Sequence, residues 1–428
     1  MRIIPAIYTG SGQLVKTAVN GFLQRTVTIP LSQEDGSRCT CLVNRGDVVS
    51  EGQVIAEPAS EKYGAKIHAS VPGIVEDIVS CTCPDGTQED AVKIRLSGAF
   101  SFLGKKLRAE DWQTFPPRII VQKIADAGIV NTFKTAAPVS LAMQLDSVKT
   151  RGNRLLVVRL YDDDPWRMTD SILSSAFADD VRTGALITAR AFDADGIVFA
   201  CDAKSPVPEK DETIRLPLCF VQIDIAQYPS GFKEEIMLAV KEAAKEAPFI
   251  DISEESIFTD ATTMLSVCNA VKYGVPAIEQ YVYVSGECIP AIAFIKVRTG
   301  TTMEYLAMQC GGFEKTPAAV VVNGFMLGSA VGNLDTPITK YVKSISFISR
   351  SHVPHQRQLP CMRCGCCRVV CPRNLSPDIL YRSAAGGAKT SKAYVRSSLL
   401  CIDCGLCNSV CPSRLPICQA VKLLQKEV

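Results

Sequence analysis

Residues 361–372, CMRCGCCRVVCP, decide the fold of the C-terminal part of this chain, and residues 401–412, CIDCGLCNSVCP, repeat the pattern 40 residues later. Both segments fit C-x2-C-x2-C-x3-C-P. Three thiolates at this spacing can wrap one corner of an iron–sulfur cubane, while the fourth cysteine, just before proline, points away to a second cubane. The predicted ligand sets are Cys361, Cys364 and Cys367 with Cys411, and Cys401, Cys404 and Cys407 with Cys371.

This crossed arrangement is the one that two-cluster ferredoxins use. We therefore predict two [4Fe-4S] clusters in a ferredoxin-like helical domain. Zinc sites of the C-x2-C type are the alternative, but they need two pairs at wider separation and would leave thiolates unused. Cys366 and Cys418 are surplus to both sets and are expected to be packing residues, because a free cysteine behaves as a small hydrophobe. For the nearby His352 and His355 we expect hydrogen-bonding or solvent roles.

Cysteine and charge are distributed unevenly over the 428 residues. Ten of the 19 cysteines lie in residues 361–428, and an odd, dense set does not suit a disulfide scaffold. Reduced thiols that hold a metal cluster, in a cytosolic or otherwise reducing setting, are the better interpretation. From Ser351 onward 11 Lys and Arg face 3 Asp and Glu, so a +8 tail is joined to a −6 body. The near-neutral total argues against a nucleic-acid partner.

Neither a secretory signal nor a membrane span is recognisable in the sequence. No 7–15-residue apolar stretch follows Met1, and the most apolar long run, Pro317–Gly332, falls short of about 20 residues and contains Asn323 and Gly324. We expect contact with a membrane only through partner subunits.

Residues 30–95 are predicted to be short strands separated by turns. Gly46-Asp47 and Glu51-Gly52 bracket Val48-Val49, and Pro72-Gly73 closes a later alternating strand. The pattern resembles the biotinyl/lipoyl barrel sandwich. Lys62 occupies the position of the modified lysine in such domains, but its neighbours are not the expected methionines, so a plain exposed hairpin lysine is the favoured interpretation.

The middle of the chain alternates strand-like and helical patterns. Buried-strand patterns at 155–160, 196–201 and 221–225 are interleaved with helical ones, which predicts an α/β layer with a mostly parallel sheet. Residues 277–312 become β-rich again, with strands predicted at 281–286 and 293–299.

With these segments in order, the chain resembles RnfC-type subunits of the Rnf electron-transport complex over nearly its whole length. NqrA of sodium-pumping quinone reductases and the flavin subunit of complex I are more distantly similar. The resemblance rests on the barrel-sandwich start, the paired cluster motifs and several segments between them: Ile67–Gly73, the stretch around Gly128, Asp162–Pro165, Tyr228–Gly231, Val284–Gly286, Gly324–Gly328 and Pro337–Lys340.

The resemblance implies a multidomain fold of α/β and α+β class. Its expected parts are a barrel-sandwich hybrid (1–112), a Rossmann-like α/β domain (113–255), an SLBB β-grasp domain with connecting segments (256–350) and the two-cluster domain (351–428). In such relatives the Rossmann-like layer binds FMN and NADH. Gly128, Pro138, Asp162 and Asp164 are the residues here that match that cofactor region.

The chain departs from the family in the flavin loop. Ala127-Gly128-Ile129-Val130 is present, but the following glycines are replaced by Asn131, Phe133, Lys134 and Ala136, and the family's lysine position holds Ala142. Glycines allow the backbone to approach a phosphate and present N–H groups to it. FMN and NADH binding is therefore doubtful, and a purely structural α/β layer is the alternative. For Asp162 and Asp164 the alternative is a solvated acidic turn.

The favoured hypothesis is an electron-transfer subunit of an ion-translocating oxidoreductase, peripheral on the cytoplasmic face of the bacterial inner membrane. It would pass electrons between NADH, or an acidic ferredoxin or flavodoxin steered by the basic tail, and membrane subunits. The alternatives are a soluble flavin and iron–sulfur reductase of the cobalamin-reductase type, and a cluster-containing scaffold subunit. The coupling ion, H⁺ or Na⁺, and the direction of electron flow remain open.

Overall fold

A computed structural model describes residues 15, 17–35, 38–59, 63–148, 154–204, 216–245, 252, 256–351, 353, 357–385 and 391–426. Lys62, His352 and His355 lie outside the described residues. Along the chain, a two-sheet sandwich is followed by a parallel α/β layer, a mixed sheet and a helical C-terminal segment.

The N-terminal part forms two antiparallel sheets that share one apolar core. Its strands are β1 (Val19–Asn20), β2 (Thr26–Pro30), β3 (Cys39–Cys41), β4 (Val48–Val49), β5 (Val54–Pro58), β6 (Ile67–His68), β7 (Gly73–Thr82) and β8 (Gln88–Leu96). The strand orders are β2-β8-β7-β4 and β3-β5-β6. Val27, Ile55 and Ile94 are fully buried in the shared core, because alternate side chains of a strand point to one face. The predicted barrel-sandwich architecture is confirmed.

A parallel α/β layer follows. Its elements are a 3-10 turn (Trp112–Thr114), α1 (Pro117–Asp126), β9 (Val130–Asn131), β10 (Val139–Ser140), α2 (Leu141–Ser147), β11 (Leu155–Arg159), α3 (Thr169–Ala176), α4 (Ala178–Ala191), β12 (Gly196–Asp202), β13 (Leu218–Ile223), α5 (Lys233–Ala243), β14 (Ile257–Asp260) and α6 (Ala261–Tyr273). Strands β13-β12-β11-β14 are parallel in that order. The direction of strand succession reverses between β11 and β14, which is where doubly wound sheets bind ligands.

The end of this layer differs from the predicted boundary at 255/256. Strand β14 pairs with β11, and α6 packs on α4, so residues 257–273 complete the parallel layer. The sequence placed them in the following domain because one short strand carries no signal of which sheet it joins.

The next strands build a mixed sheet over a second apolar core. They are β15 (Glu279–Ser285), β16 (Ala293–Arg298), β17 (Ala319–Val322), β18 (Ser329–Val331) and β19 (Ser344–Ile348), with α7 (Met303–Gln309) between them. The order is β1-β16-β15-β19-β17-β18, so the chain's first described strand closes one edge. The strands predicted at 281–286 and 293–299 are present as β15 and β16. The SLBB description of this layer stays a prediction.

The described C-terminal segment is helical. It contains α8 (Cys366–Val369), α9 (Pro377–Ala385), α10 (Lys392–Ser398), α11 (Leu406–Ser409) and α12 (Ile417–Gln425). Helices α9 and α12 pack together through Leu380, Val421 and Leu424. No helix among the described residues is both long and apolar enough to span a bilayer.

Candidate metal centres and the nucleotide region

The two cysteine motifs adopt the same backbone fold. Positive φ angles occur at matched positions: Arg363 (56°) and Asp403 (59°), Gly365 (78°) and Gly405 (72°), Asn374 (53°) and Arg414 (54°). The short helices α8 and α11 each begin directly after the glycine. The repeat of the sequence is therefore also a repeat of structure.

Two small cavities separate the eight predicted ligands into two groups. Cys361, Cys364 and Cys367 line one cavity together with Cys411. Cys401, Cys404 and Cys407 line the other together with Cys371. Each cavity thus combines three predicted ligands of one motif with the last cysteine of the other, and each also has one surplus cysteine in its lining, Cys366 in the first and Cys418 in the second.

The donor set of each cavity consists of thiols, the ligand type of iron–sulfur clusters. In the described part of the chain, no three His, Cys, Asp or Glu side chains are gathered closely enough to hold one metal ion. The four predicted ligands in each cavity match the number that a [4Fe-4S] cluster takes. Burial raises the pKa of Cys404 to about 11, so cluster assembly must release protons from the thiols.

The two surplus cysteines have different surroundings. Cys418 is buried beside Cys401 in the second cavity, as expected for a packing residue. Cys366 is exposed, so the expectation of packing is wrong for it. It occupies the first turn of a four-residue helix on the surface, where no apolar layer covers it.

The second motif is packed against the body of the protein. The Tyr228 hydroxyl donates a 2.6 Å hydrogen bond to the carbonyl oxygen of Cys404. A Cβ on Gly405 would lie 2.6 Å from the carbonyl oxygen of Met326, so only glycine fits there. Lys134 approaches Asp403 at 3.7 Å. Sequence analysis did not assign these contacts, although Tyr228 belongs to a segment that carries the family resemblance.

Among the described residues, none covers the first motif in this way. A Cβ on Gly365 would meet no atom within 4 Å. Cys364 is exposed, Met362 is 58% exposed and Val369 is 87% exposed. Its anchor lies within the tail itself, where Arg368 Nε and Asp378 Oδ1 are 2.6 Å apart and the guanidinium lowers the pKa of the Asp378 carboxyl.

Gly128 and Pro138 lie where the α/β layer meets the N-terminal sandwich. A Cβ on Gly128 would lie 2.1 Å from the carbonyl oxygen of Lys66, and φ is +64° at this glycine. The Gly128 N–H donates to Ala125, at the end of α1. The Pro138 carbonyl accepts from the Asp35 N–H. The contacts of both residues are therefore structural, and a cofactor role for them stays a prediction.

The acidic turn is buried, so the alternative of a solvated turn is wrong. Asp162 accepts from the N–H groups of residues 170 and 171 at the start of α3. Asp164 is fully buried and accepts from the N–H groups of Met326 and Leu327 at 2.8 and 3.0 Å. Burial raises the pKa of Asp164. Both carboxylates fix neighbouring segments, and the second one joins the turn to the loop that packs on Gly405.

A buried ion network occupies the point where the strand order of the parallel sheet reverses. Lys343 Nζ lies 2.7 Å from Asp170 and 2.6 Å from Asp260, and all three side chains are fully buried. Burial opposes charge on Asp260, but Lys343 lowers its pKa to about 2. Arg159, at the end of β11, pairs with Asp163 at 3.3 Å and donates to the carbonyl of Phe133. Removing one partner of such a network leaves a buried charge and costs about 3–5 kcal/mol.

The flavin-loop region does not fit a phosphate-binding loop. The Thr132 N–H donates to Thr263 Oγ1, and the Phe133 N–H donates to its neighbour Asn131 Oδ1. The Ala137 N–H donates to the carbonyl of Lys134. Three backbone donors of this loop are thus engaged within the protein, which leaves fewer N–H groups to present to a phosphate.

The side chains that replaced the glycines line an open cavity of about 540 Å³ at the edge of β14. Phe133 and Lys134 form part of its wall, opposite Phe258 and Lys233. The Phe133 ring also lies under the Arg159 guanidinium, and its centre is 4.3 Å from the guanidinium carbon Cζ. The contacts of Arg159 with Phe133 thus connect this loop to the ion network.

Comparison with known proteins gives a consistent relationship. A family model described as the RnfC barrel-sandwich hybrid domain matches residues 16–99. The C subunit of the ion-translocating oxidoreductase complex of Rhodobacter capsulatus is 28% identical over 361 residues, covering 82% of this chain and 68% of that protein. The C subunit of the proton-translocating ferredoxin:NAD(+) oxidoreductase complex of Clostridium ljungdahlii is 25% identical over 358 residues, covering 83% and 77%.

A structural likeness is weaker. A chain of an NAD+-reducing [NiFe]-hydrogenase is 15% identical with a TM-score of 0.46, and the match covers 74% of this chain and 64% of that chain. A structural likeness at this level supports no conclusion about the function or the cofactors of this chain.

The fold and the matched N-terminal region define a mixed α/β protein built on a barrel-sandwich hybrid domain. The chain is similar to these two relatives over four fifths of its length, and its N-terminal region matches the RnfC barrel-sandwich hybrid domain.

Proposed function

We propose that this chain is the electron-transfer subunit of an Rnf-like, ion-translocating oxidoreductase complex. It passes electrons through two [4Fe-4S] clusters between a soluble carrier and membrane subunits. The names of its relatives in Rhodobacter capsulatus and Clostridium ljungdahlii support an ion-translocating complex. The chain acts as one part of that enzyme and works at the cytoplasmic face of the bacterial inner membrane, held there by partner subunits.

The observation that carries the proposal is the crossed grouping of cysteines in the two cavities. Cys361, Cys364, Cys367 and Cys411 hold the first cluster, and Cys401, Cys404, Cys407 and Cys371 hold the second. When bound, each cluster accepts and releases one electron at a time. The protein supplies the thiolates, the two glycine turns that orient them, and the contacts that bury the second site.

We further propose that electrons do not enter this chain through FMN and NADH in the manner of its relatives. The backbone donors of residues 132, 133 and 137 are engaged within the protein. The α/β layer then serves as a scaffold that positions the second motif through Tyr228, together with the mixed-sheet loop that contains Met326. The cobalamin-reductase alternative needs a working flavin loop and is therefore not favoured.

The test is anaerobic reconstitution of the full chain, followed by measurement of iron, acid-labile sulfide and released flavin. We expect about eight irons per chain, because each [4Fe-4S] cluster contributes four, and less than stoichiometric flavin. NADH should not bleach the cluster absorbance, whereas dithionite should. The control variant Cys39→Ser, which changes a cysteine of the N-terminal sandwich, should retain the full iron content.

Two results would overturn these claims separately. Fewer than about four irons after careful reconstitution would remove the two-cluster assignment. Stoichiometric FMN with rapid reduction by NADH would instead refute the interpretation of residues 131–142, and would leave the clusters in place.

A further inference from the structure

The first motif presents a surface that nothing in the described part of the chain covers. It is formed by the exposed side chains of Met362, Arg363, Arg368 and Val369, and we call it the Met362–Val369 face. Cys364, a predicted ligand, is exposed within it. An exposed apolar side chain is ordinary when single, but here two occur in one motif, and one of them, Met362, lines the cavity that contains the cysteines.

The charge around this face is positive. From Ser351 onward, 11 Lys and Arg accompany 3 Asp and Glu. Two of those acids are described, and both are in ion pairs: Asp378 with Arg368 and Arg382, and Asp403 with Lys134 and Lys422. Asp378 therefore neutralises Arg368, whereas Arg363 is an exposed cation of the face. An acidic partner would complement Arg363 and the net positive tail, and a basic partner would be repelled.

We infer that the Met362–Val369 face is the docking site for an acidic electron-carrier protein, and that the first cluster is the outward terminal of the relay. This inference rests on the proposed two-cluster function. A polar rim around a small apolar centre is the composition of transient protein interfaces, and long-range attraction between opposite charges raises the rate of association.

The competing occupant is an anionic membrane surface, which basic and apolar side chains could also meet. Interfacial membrane binding uses a helix with a broad apolar face and a charged opposite face. Helix α8 has only four residues, so the described face offers no such element. A protein carrier is therefore the occupant that the geometry favours.

The experiment uses the reconstituted full chain, reduced with dithionite and freed of excess reductant. It is mixed in a stopped-flow instrument with an oxidised acidic [2Fe-2S] ferredoxin as the probe. One electron leaves the protein for each ferredoxin reduced, so the two absorbance changes must balance. Binding to oxidised ferredoxin is measured separately by calorimetry, which does not depend on electron transfer.

We expect Arg363→Glu and Val369→Asp each to lower the second-order rate at least tenfold at low salt and to weaken binding. Raising the salt concentration should slow the unmodified protein towards the Arg363→Glu rate, because screening removes steering. The matched controls Arg118→Glu on α1 and Leu238→Asp on α5 change residues of the same types that are exposed elsewhere. In both control variants, the second-order rate and the affinity for ferredoxin should stay within twofold of the values for the unmodified protein.

Unchanged ferredoxin binding and rate in both face variants, with full iron content, would overturn the docking inference and leave the two-cluster function intact. Loss of iron or of dithionite reduction in the unmodified protein would instead refute the proposed function. Vesicles of phosphatidylglycerol and phosphatidylcholine form a further arm. Strong vesicle binding that the two face variants abolish, with no effect on ferredoxin binding, would replace the protein carrier by a membrane.

Discussion

The two cysteine motifs of the tail share one sequence pattern and one backbone fold, but their neighbours differ. The second motif lies against the body, with Cys404 only 8% exposed and its carbonyl held by Tyr228. The first motif faces outward, and Val369 beside it is 87% exposed. Local sequence therefore makes two equivalent sites, and tertiary contacts make one of them an inner site and the other an outer site.

This difference has a chemical consequence. The reduction potential of an iron–sulfur cluster depends on hydrogen bonds to its sulfurs and on solvent exposure. Two sites with the same ligand set but different burial are expected to have different potentials. The tail therefore has a buried cluster site that contacts the rest of the protein and a second cluster site that is more exposed.

The largest expected effect comes from removing the fourth cysteine of each motif. Cys411→Ser should lose the outer cluster and Cys371→Ser the inner one, so iron content should fall from about eight to about four per chain in each variant. Hydrogen exchange should then increase mainly at residues 361–367 in Cys411→Ser and at residues 401–407 in Cys371→Ser. The opposite pattern of exchange would mean that each motif binds its own fourth cysteine and that the grouping is not crossed.

A second prediction compares the two glycines. Both have positive φ, so Gly365→Ala and Gly405→Ala each cost about 1–2 kcal/mol from the backbone alone. Only at Gly405 does the new Cβ collide with the carbonyl of Met326, and we expect at least about 1 kcal/mol more there. The free energy of local opening, measured by hydrogen exchange, separates the two variants. Equal costs would show that the inner motif is not held against the body.

A smaller effect is expected for Tyr228→Phe. It removes the hydroxyl that donates to the Cys404 carbonyl and leaves the ring in place. The loss of one hydrogen bond costs about 1 kcal/mol. The amide hydrogens of residues 401–407 should therefore exchange roughly fivefold faster, the rate factor that this free energy corresponds to. The reduction potential of the inner cluster alone should shift. Tyr394→Phe, on the surface of α10, is the matched control, and an equal response to it would contradict the specific role of Tyr228.

The smallest effect is expected for Lys134→Met. This lysine approaches Asp403 at 3.7 Å and is 59% exposed, so the ion pair contributes less than about 1 kcal/mol and is screened by salt. The midpoint temperature of thermal unfolding should be slightly lower than that of the unmodified protein at low ionic strength. In about 0.5 M salt, where the screening length falls well below 10 Å, the two midpoints should be equal. A loss that persists at high salt would mean that the Lys134 stem contributes packing to the inner site.

Much of the architecture could be predicted from particular residues. The turns at Gly46-Asp47 and Glu51-Gly52 and the alternating strand before Pro72-Gly73 indicated the sandwich. The apolar runs at 155–160 and 196–201 indicated the parallel sheet. The crossed ligand sets stay a prediction from the cysteine spacing. The membership of β14, and of β1 in the distant sheet, could not be predicted, because strand pairing over such separations leaves no local pattern.

The sequence misled for two features. Asp162–Asp164 resembled a solvated turn because acidic residues are usually exposed. They are instead buried, paired with the nearby Arg159 and Arg167 and bonded to the distant amides of Met326 and Leu327. Cys366 looked like a packing residue, yet the fold leaves it at the surface.

The type and number of thiols in each motif and the loss of the flavin-loop glycines follow from the sequence alone, because they are properties of residue identity and spacing. The crossed grouping stays a prediction from that spacing. Which motif is covered and which is open depends on the three-dimensional fold. The same holds for the reversal point of the parallel sheet, where Lys343 lies between Asp170 and Asp260. The physical reason is that burial and charge pairing arise between segments about 80 to 170 residues apart, where the energy of a contact depends on the whole fold.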